Sequence, residues 1–73
     1  MSRSVWSGRR LRAHRQRAGL SQFQLAIAAG CRPAKLSVYE LNKTTPELAT
    51  AARLAQALGI KVDDLLEPAE AQQ

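Results

Sequence analysis

Four residues suited to a left-handed backbone, Gly19, Gly30, Asn42 and Gly59, cut this sequence into short blocks. Gly19 ends one block, and Ser21 follows almost at once with Gln24 three residues on, the pattern of a capping box. A helix over about 7–18 is therefore followed directly by a second running to about Ala29. Gly30 stops the second helix, and Pro33 suits the first turn of a third, where its missing N–H is not needed. The third helix spans about 33–41 and ends at Asn42. Thr45 is the expected cap of a fourth helix, with Pro46 as its first residue and Gly59 as its stop. A short fifth helix is expected over about 62–66, before Pro68. Apolar residues nowhere alternate with period two over a useful length, so no strand is expected.

These blocks define an all-α chain whose helices pair through apolar faces. Leu25, Ala26 and Ala29 share one face of the second helix, and Leu36 and Tyr39 point inward from the third. Leu48, Ala51, Ala52, Leu54, Ala55 and Leu58 form a broad stripe on the fourth. The joint at Gly30 is too short for antiparallel packing, so the second and third helices must cross steeply as a helix-turn-helix. The outer face of the third helix then stands free with Arg32, Ala34, Lys35, Ser37 and Val38. A helix anchored on one side and free on the other has the dimensions to enter a DNA major groove.

With 73 residues there is material for one domain, and no separate effector or substrate domain is expected. Residues 1–6 read as an N-terminal arm, 7–66 as the folded domain and 67–73 as a flexible tail. One cysteine, Cys31, excludes an internal disulfide, and with one histidine, His14, it cannot make an ordinary four-ligand zinc site. No acid–base pair or nucleophile motif is present, so neither an enzyme nor a bound metal or cofactor is expected. His14 reads as a packing or snorkelling residue and Cys31 as a small hydrophobe. No apolar run reaches the roughly 18 residues of a membrane span, and no secretory leader is visible. The expected location is the cytoplasm, on the nucleoid when bound to DNA.

Charge is divided unevenly along the chain. Residues 1–45 hold nine Lys or Arg against the single acid Glu40, a balance of +8; residues 46–73 hold Arg53 and Lys61 against five acids, a balance of −3. One reading is a face for a polyanion. The other is a solvated basic surface that keeps the protein soluble. Charge alone does not choose between them.

The run SQFQLAIAAGCRPAKLSVYELNKTTPEL, followed by RLAQALGI and VDDLL, resembles the lambda-repressor-like (XRE) helix-turn-helix family. Leu11, Arg15, Gly19, Leu20, Ser21, Gln22, Leu25, Ala26, Gly30, Leu36, Glu40, Lys43, Pro46, Leu48, Leu54, Ala55, Leu58, Gly59, Leu65 and Leu66 carry the match, over about residues 7–66 without gaps. The resemblance implies a compact five-helix lambda-repressor-like bundle with the helix-turn-helix at helices 2 and 3. It implies sequence-specific binding of double-stranded DNA by a homodimeric bacterial or phage transcription regulator, a repressor or autoregulator. The third helix would read bases through Arg32, Ala34, Lys35, Ser37 and Val38. Ser21, Gln22, Lys43 and Thr44 would meet the backbone, with the start of the second helix set against a phosphate. Arg15 and Glu40 match positions that form a salt bridge beneath the recognition helix.

The chain also departs from that pattern. Arg32 stands at an N-cap where Ser or Thr is usual, and Asn42 replaces a Gly. Pro33, Ala34 and Val38 occupy places where polar base readers are common. Phe23 and Ile27, four residues apart on the second helix, are apolar where the family is usually polar. They either pack under Trp6 and the N-terminal arm or form a protein-contact patch. The patch is the feature that favours a rival function, an antitoxin-like protein-interaction module on the same fold.

Overall fold

The computed structural model describes residues 3–72. In chain order it comprises strand β1 (Ser4–Trp6), helices α1 (Gly8–Arg17), α2 (Gln22–Ala29), α3 (Pro33–Glu40) and α4 (Leu48–Leu58), a 3₁₀ turn (Val62–Leu65), strand β2 (Leu66–Pro68) and a second 3₁₀ turn (Ala69–Gln72). The fold is thus mostly helical, with four α-helices and a small two-stranded sheet, not the five-helix bundle expected.

The helix stops share one chemistry. At Gly30 the φ angle is 71°, the Gly30 N–H bonds the Ile27 carbonyl, and the Cys31 N–H bonds the Ala26 carbonyl. This is a Schellman motif, which satisfies carbonyls that the end of a helix leaves open. The same pair of bonds closes α1 at Gly19, α3 at Asn42 and α4 at Gly59. At the other end of α2, Ser21 Oγ accepts from the Gln24 N–H at 3.0 Å while Gln24 Oε1 accepts from the Ser21 N–H at 2.8 Å. That completes the capping box.

Three expectations need correction. Helix α4 begins at Leu48 with Glu47 as N-cap, not at Pro46 behind Thr45. Pro46 is buried, and it lines an apolar groove with Trp6 and Ala51, so its ring serves as packing rather than as a helix start. The stripe on α4 is consequently narrower: Ala51, Leu54 and Ala55 are buried, whereas Ala52 is exposed and Leu48 is 77% exposed. The expected fifth helix is a single 3₁₀ turn, because β2 begins at Leu66.

The strands are the third correction. β1 and β2 pair antiparallel, with Ser4 opposite Pro68, Val5 opposite Glu67 and Trp6 opposite Leu66. The ladder extends through Ser7 N–H to the Leu65 carbonyl and Ala69 N–H to the Arg3 carbonyl. Residues read as an arm and a flexible tail therefore form a ribbon on the helices; Met1, Ser2 and Gln73 of those stretches lie outside the described residues. Three-residue strands are too short to show an alternating pattern.

The ribbon also places Trp6 in the core. Its ring meets Tyr39 edge-on, with centroids 6.4 Å apart, and its Nε1–H donates to the Tyr39 carbonyl at 3.0 Å. Around this pair lie the fully buried Leu11, Leu25, Leu36, Leu54 and Leu65. Burying each leucine contributes about 1.5–3 kcal/mol. Helices α2 and α4 pack on each other, and Ala26 and Ala29 of the first and Ala51 and Ala55 of the second are buried.

Candidate nucleic-acid interface

Helix α3 is held from below and open above. Leu36, Tyr39 and Glu40 are buried, whereas Arg32, Pro33, Ala34 and Lys35 are exposed. Arg32 is the N-cap of α3 and makes no side-chain capping bond, since a guanidinium offers donors and no acceptor; its side chain has no hydrogen bond or ion pair among the described residues. Ser37 and Val38, expected on the same outer face, are half-buried, and Val38 packs against the core. The fully open portion of the helix is thus its first turn.

Glu40 is the hub beneath α3. Its carboxylate accepts from Arg15 Nε at 2.6 Å and Arg15 Nη2 at 3.2 Å, and from Gln22 Nε2 at 3.0 Å. Arg15 also donates through Nη1 to the Leu20 carbonyl at 2.9 Å. Four charge-assisted bonds thereby tie α1, the α1–α2 joint, the start of α2 and the end of α3. Arg15 and Glu40 retain 13% and 3% of their side-chain exposure, so the pair is largely desolvated.

Gln22 thus directs one amide hydrogen into the protein. Its backbone N–H, and that of Phe23, open the first turn of α2 with no partner among the described residues, since Ser21 takes the Gln24 and Leu25 amides. Ser21 is exposed, and its hydroxyl oxygen already accepts from Gln24. Lys43 is exposed and Thr44 half-buried, both directly after the left-handed Asn42.

Arg53, not singled out in the sequence, braces the turn between α2 and α3. Its Nε donates to the Ala29 carbonyl at 2.9 Å and its Nη2 approaches Thr50 Oγ1 at 3.4 Å. Cys31 lies beside it, half-buried. Burial pushes the thiol above its ordinary pKa, opposed by the Arg53 charge. Phe23 and Ile27 do not pack under Trp6; they are 63% and 62% exposed.

Sequence reasoning also passed over Arg12. It lines a cleft of about 250 Å³ with Arg15, Gln22, Ser37, Glu40 and Leu41. The available signal was its place one helical turn before Arg15 on the same face of α1. Among the described residues no group of three or more His, Cys, Asp or Glu could hold a metal, and no helix is long and apolar enough to cross a membrane.

Two crossed helices joined by a left-handed glycine, with the second anchored on one side and open on the other, define a helix-turn-helix. A family model for the helix-turn-helix domain matches residues 6–69, and the chain belongs to that family. It is 35% identical over 65 residues to YonR, an HTH-type transcriptional regulator derived from the SPbeta prophage of Bacillus subtilis. The match covers 89% of this chain, which spans 60% of that relative's length. Its fold is similar to the restriction-modification controller protein C.AhdI of Aeromonas hydrophila, with TM-score 0.77, 34% identity, and coverage of 80% of this chain and 88% of that one. It is also similar to the P22 c2 repressor in complex with a synthetic operator, with TM-score 0.80, 28% identity, and coverage of 86% and 96%.

Proposed function

We propose that this chain binds double-stranded DNA sequence-specifically as a transcription regulator, a repressor or autoregulator acting as a homodimer in the cytoplasm. The observation that carries this is the one-sided anchoring of α3. An α-helix with its side chains is about 10–12 Å across, close to the width of the B-DNA major groove. Arg32, Ala34 and Lys35 stand on the open first turn to meet base edges. Val38 offers the part of its side chain that the core leaves uncovered. Ser21, Gln22, Lys43 and Thr44 supply backbone contacts, and the free amides at the start of α2 face a phosphate. The relation to an operator-bound repressor supports the same reading.

Selection of bound sequences from a random duplex pool tests it. The expected result is two related half-sites with two-fold symmetry, spaced by about one helical turn. Recovery of unenriched sequence would reject sequence-specific binding.

Phe23 and Ile27 support a second role, a protein contact on α2. That helix carries no charged residue, and its two large apolar side chains are exposed. Replacing both by Ser tests this by sedimentation. Lost self-association with an unchanged melting temperature supports a contact between copies, and unchanged association excludes one.

A further inference from the structure

We propose that Glu67 is a positioning residue for DNA binding: from β2 it fixes the β1–α1 junction, which in turn holds the far end of α3. The inference rests on the duplex-binding reading and adds a residue outside the helix-turn-helix. Three consecutive junction residues carry the link. Trp6 donates through Nε1 to the Tyr39 carbonyl at 3.0 Å, and Gly8 donates its N–H to Asn42 Oδ1 at 2.7 Å. Between them, the buried Ser7 donates its hydroxyl to Glu67 Oε2 at 2.7 Å. The residues on either side of Ser7 thus hold α3, while Ser7 itself is held by β2.

Glu67 is only 4% exposed, and a charge so placed is costly unless it is paired. Arg9 Nη2 lies 3.2 Å from Glu67 Oε2 and Arg10 Nε 3.6 Å, so two guanidinium groups supply the pairing. Arg10 also donates through Nη1 to the carbonyl of Leu66, the preceding residue of the strand. A serine hydroxyl has a single proton to give. Giving it to Glu67 leaves the Ser7 lone pairs for the Arg10 N–H, which Oγ caps at 3.1 Å. The Ser7 N–H donates to the Leu65 carbonyl at 2.9 Å, so its backbone and side chain are both fixed from residues 65–67. Gly8 leaves no slack beyond this point, because a Cβ there would lie 2.3 Å from the Glu40 carbonyl oxygen. A shift of Ser7 is therefore passed to the end of α3. Base contacts feel such a shift more than phosphate contacts do. A hydrogen bond to a base edge needs a close distance and angle, whereas charge attraction to a phosphate falls off slowly.

The readout is the ratio of affinities for two duplexes at one salt concentration, the sequence selected from the random pool and a scrambled one. Glu67→Gln keeps the size of the side chain but removes the charge that pairs with Arg9 and Arg10. It should lower the ratio by about tenfold, the effect of weakening one base contact. Ser7→Ala cuts the same link from the other side and should lower it similarly, and the double variant no further than either. Gly59→Ala is the control for lost stability alone. It strains a left-handed helix stop, φ 69°, with no neighbouring atom within 4 Å of the new Cβ, and should leave the ratio unchanged. Trp6 is the sole tryptophan, so its indole N–H resonance reports the bond to Tyr39 in the free protein. That resonance should move in Glu67→Gln and stay in place in Gly59→Ala. A Glu67→Gln ratio equal to wild type, an unmoved Trp6 resonance, or an equal fall in Gly59→Ala overturns the assignment while duplex binding stands. A random pool that yields no enriched sequence removes the sequence-specific reading itself, and the assignment with it.

Discussion

Asn42 Oδ1 accepts a 2.7 Å hydrogen bond from the backbone N–H of Gly8, so the residue that ends α3 also caps the start of α1. Asn42 itself is left-handed, with φ 59°. A glycine would adopt that conformation at least as readily, but it has no side chain to reach Gly8. Asn42→Gly should therefore destabilise the fold by about 1 kcal/mol, within the range for a lost cap. Asn42→Ala should be worse, because it adds left-handed strain of about 1–2 kcal/mol. Urea melts that place Asn42→Gly level with wild type would show the bond contributes nothing.

Gly8 is there because the helices touch. A Cβ at this position would lie 2.3 Å from the Glu40 carbonyl oxygen and 2.4 Å from that of Tyr39, both backbone atoms. Gly8→Ala must push α1 away from α3, at about 1–3 kcal/mol or more. The loss should appear both in the melting temperature and in duplex affinity, since α3 moves with it. A fully stable Gly8→Ala variant would contradict this packing.

Arg15→Ala removes the partner of a nearly buried carboxylate. Loss of one member of a buried pair costs about 3–5 kcal/mol, and the residual exposure of Arg15 places this case near the lower end. Glu40→Gln should be milder, because the amide still accepts from Gln22. A double-mutant cycle should give a coupling above about 1 kcal/mol. Additive losses would mean that the two side chains act separately.

Lys35 and Lys43 should separate reading from holding. Lys35→Ala should lower operator affinity by about 1–3 kcal/mol and spare scrambled duplex more, as loss of a base contact does. Lys43→Ala should weaken both duplexes by a similar factor. Parallel titrations at one salt concentration check this, and an equal loss on both duplexes for Lys35→Ala would move specificity elsewhere.

Cys31 gives a pH prediction. Its raised pKa means less thiolate at neutral pH than an unhindered cysteine holds, and the thiolate is the reactive form. Alkylation of the native chain should be slower than alkylation in urea at neutral pH, and the difference should narrow as pH rises. Arg53→Ala should slow the native reaction further, because it removes the charge that favours the thiolate. A native rate equal to the denatured one would contradict burial of the thiol.

Much of this architecture was legible because its signals are local. A left-handed stop at Gly19, Gly30, Asn42 or Gly59 and a capping box at Ser21 and Gln24 depend on residues within one or two turns, so their sequence determines them. The boundaries of α1, α2 and α3 follow from these signals, as does the inward face of Leu36 and Tyr39. The start of α4 does not. Pro46 and Thr45 carry a local signal for a helix, but packing beside Trp6 buries the proline and delays the helix to Leu48. The β1–β2 ribbon joins Ser4–Trp6 to Leu66–Pro68, partners some sixty residues apart with three residues each, and no local pattern encodes such a pairing. The need for glycine at Gly8, the turn of Gln22 and Ser37 toward Glu40 and Arg12, and the exposure of Phe23 and Ile27 were likewise decided by tertiary structure. Each depends on which distant element arrives at that surface, and chain neighbours cannot specify that arrival.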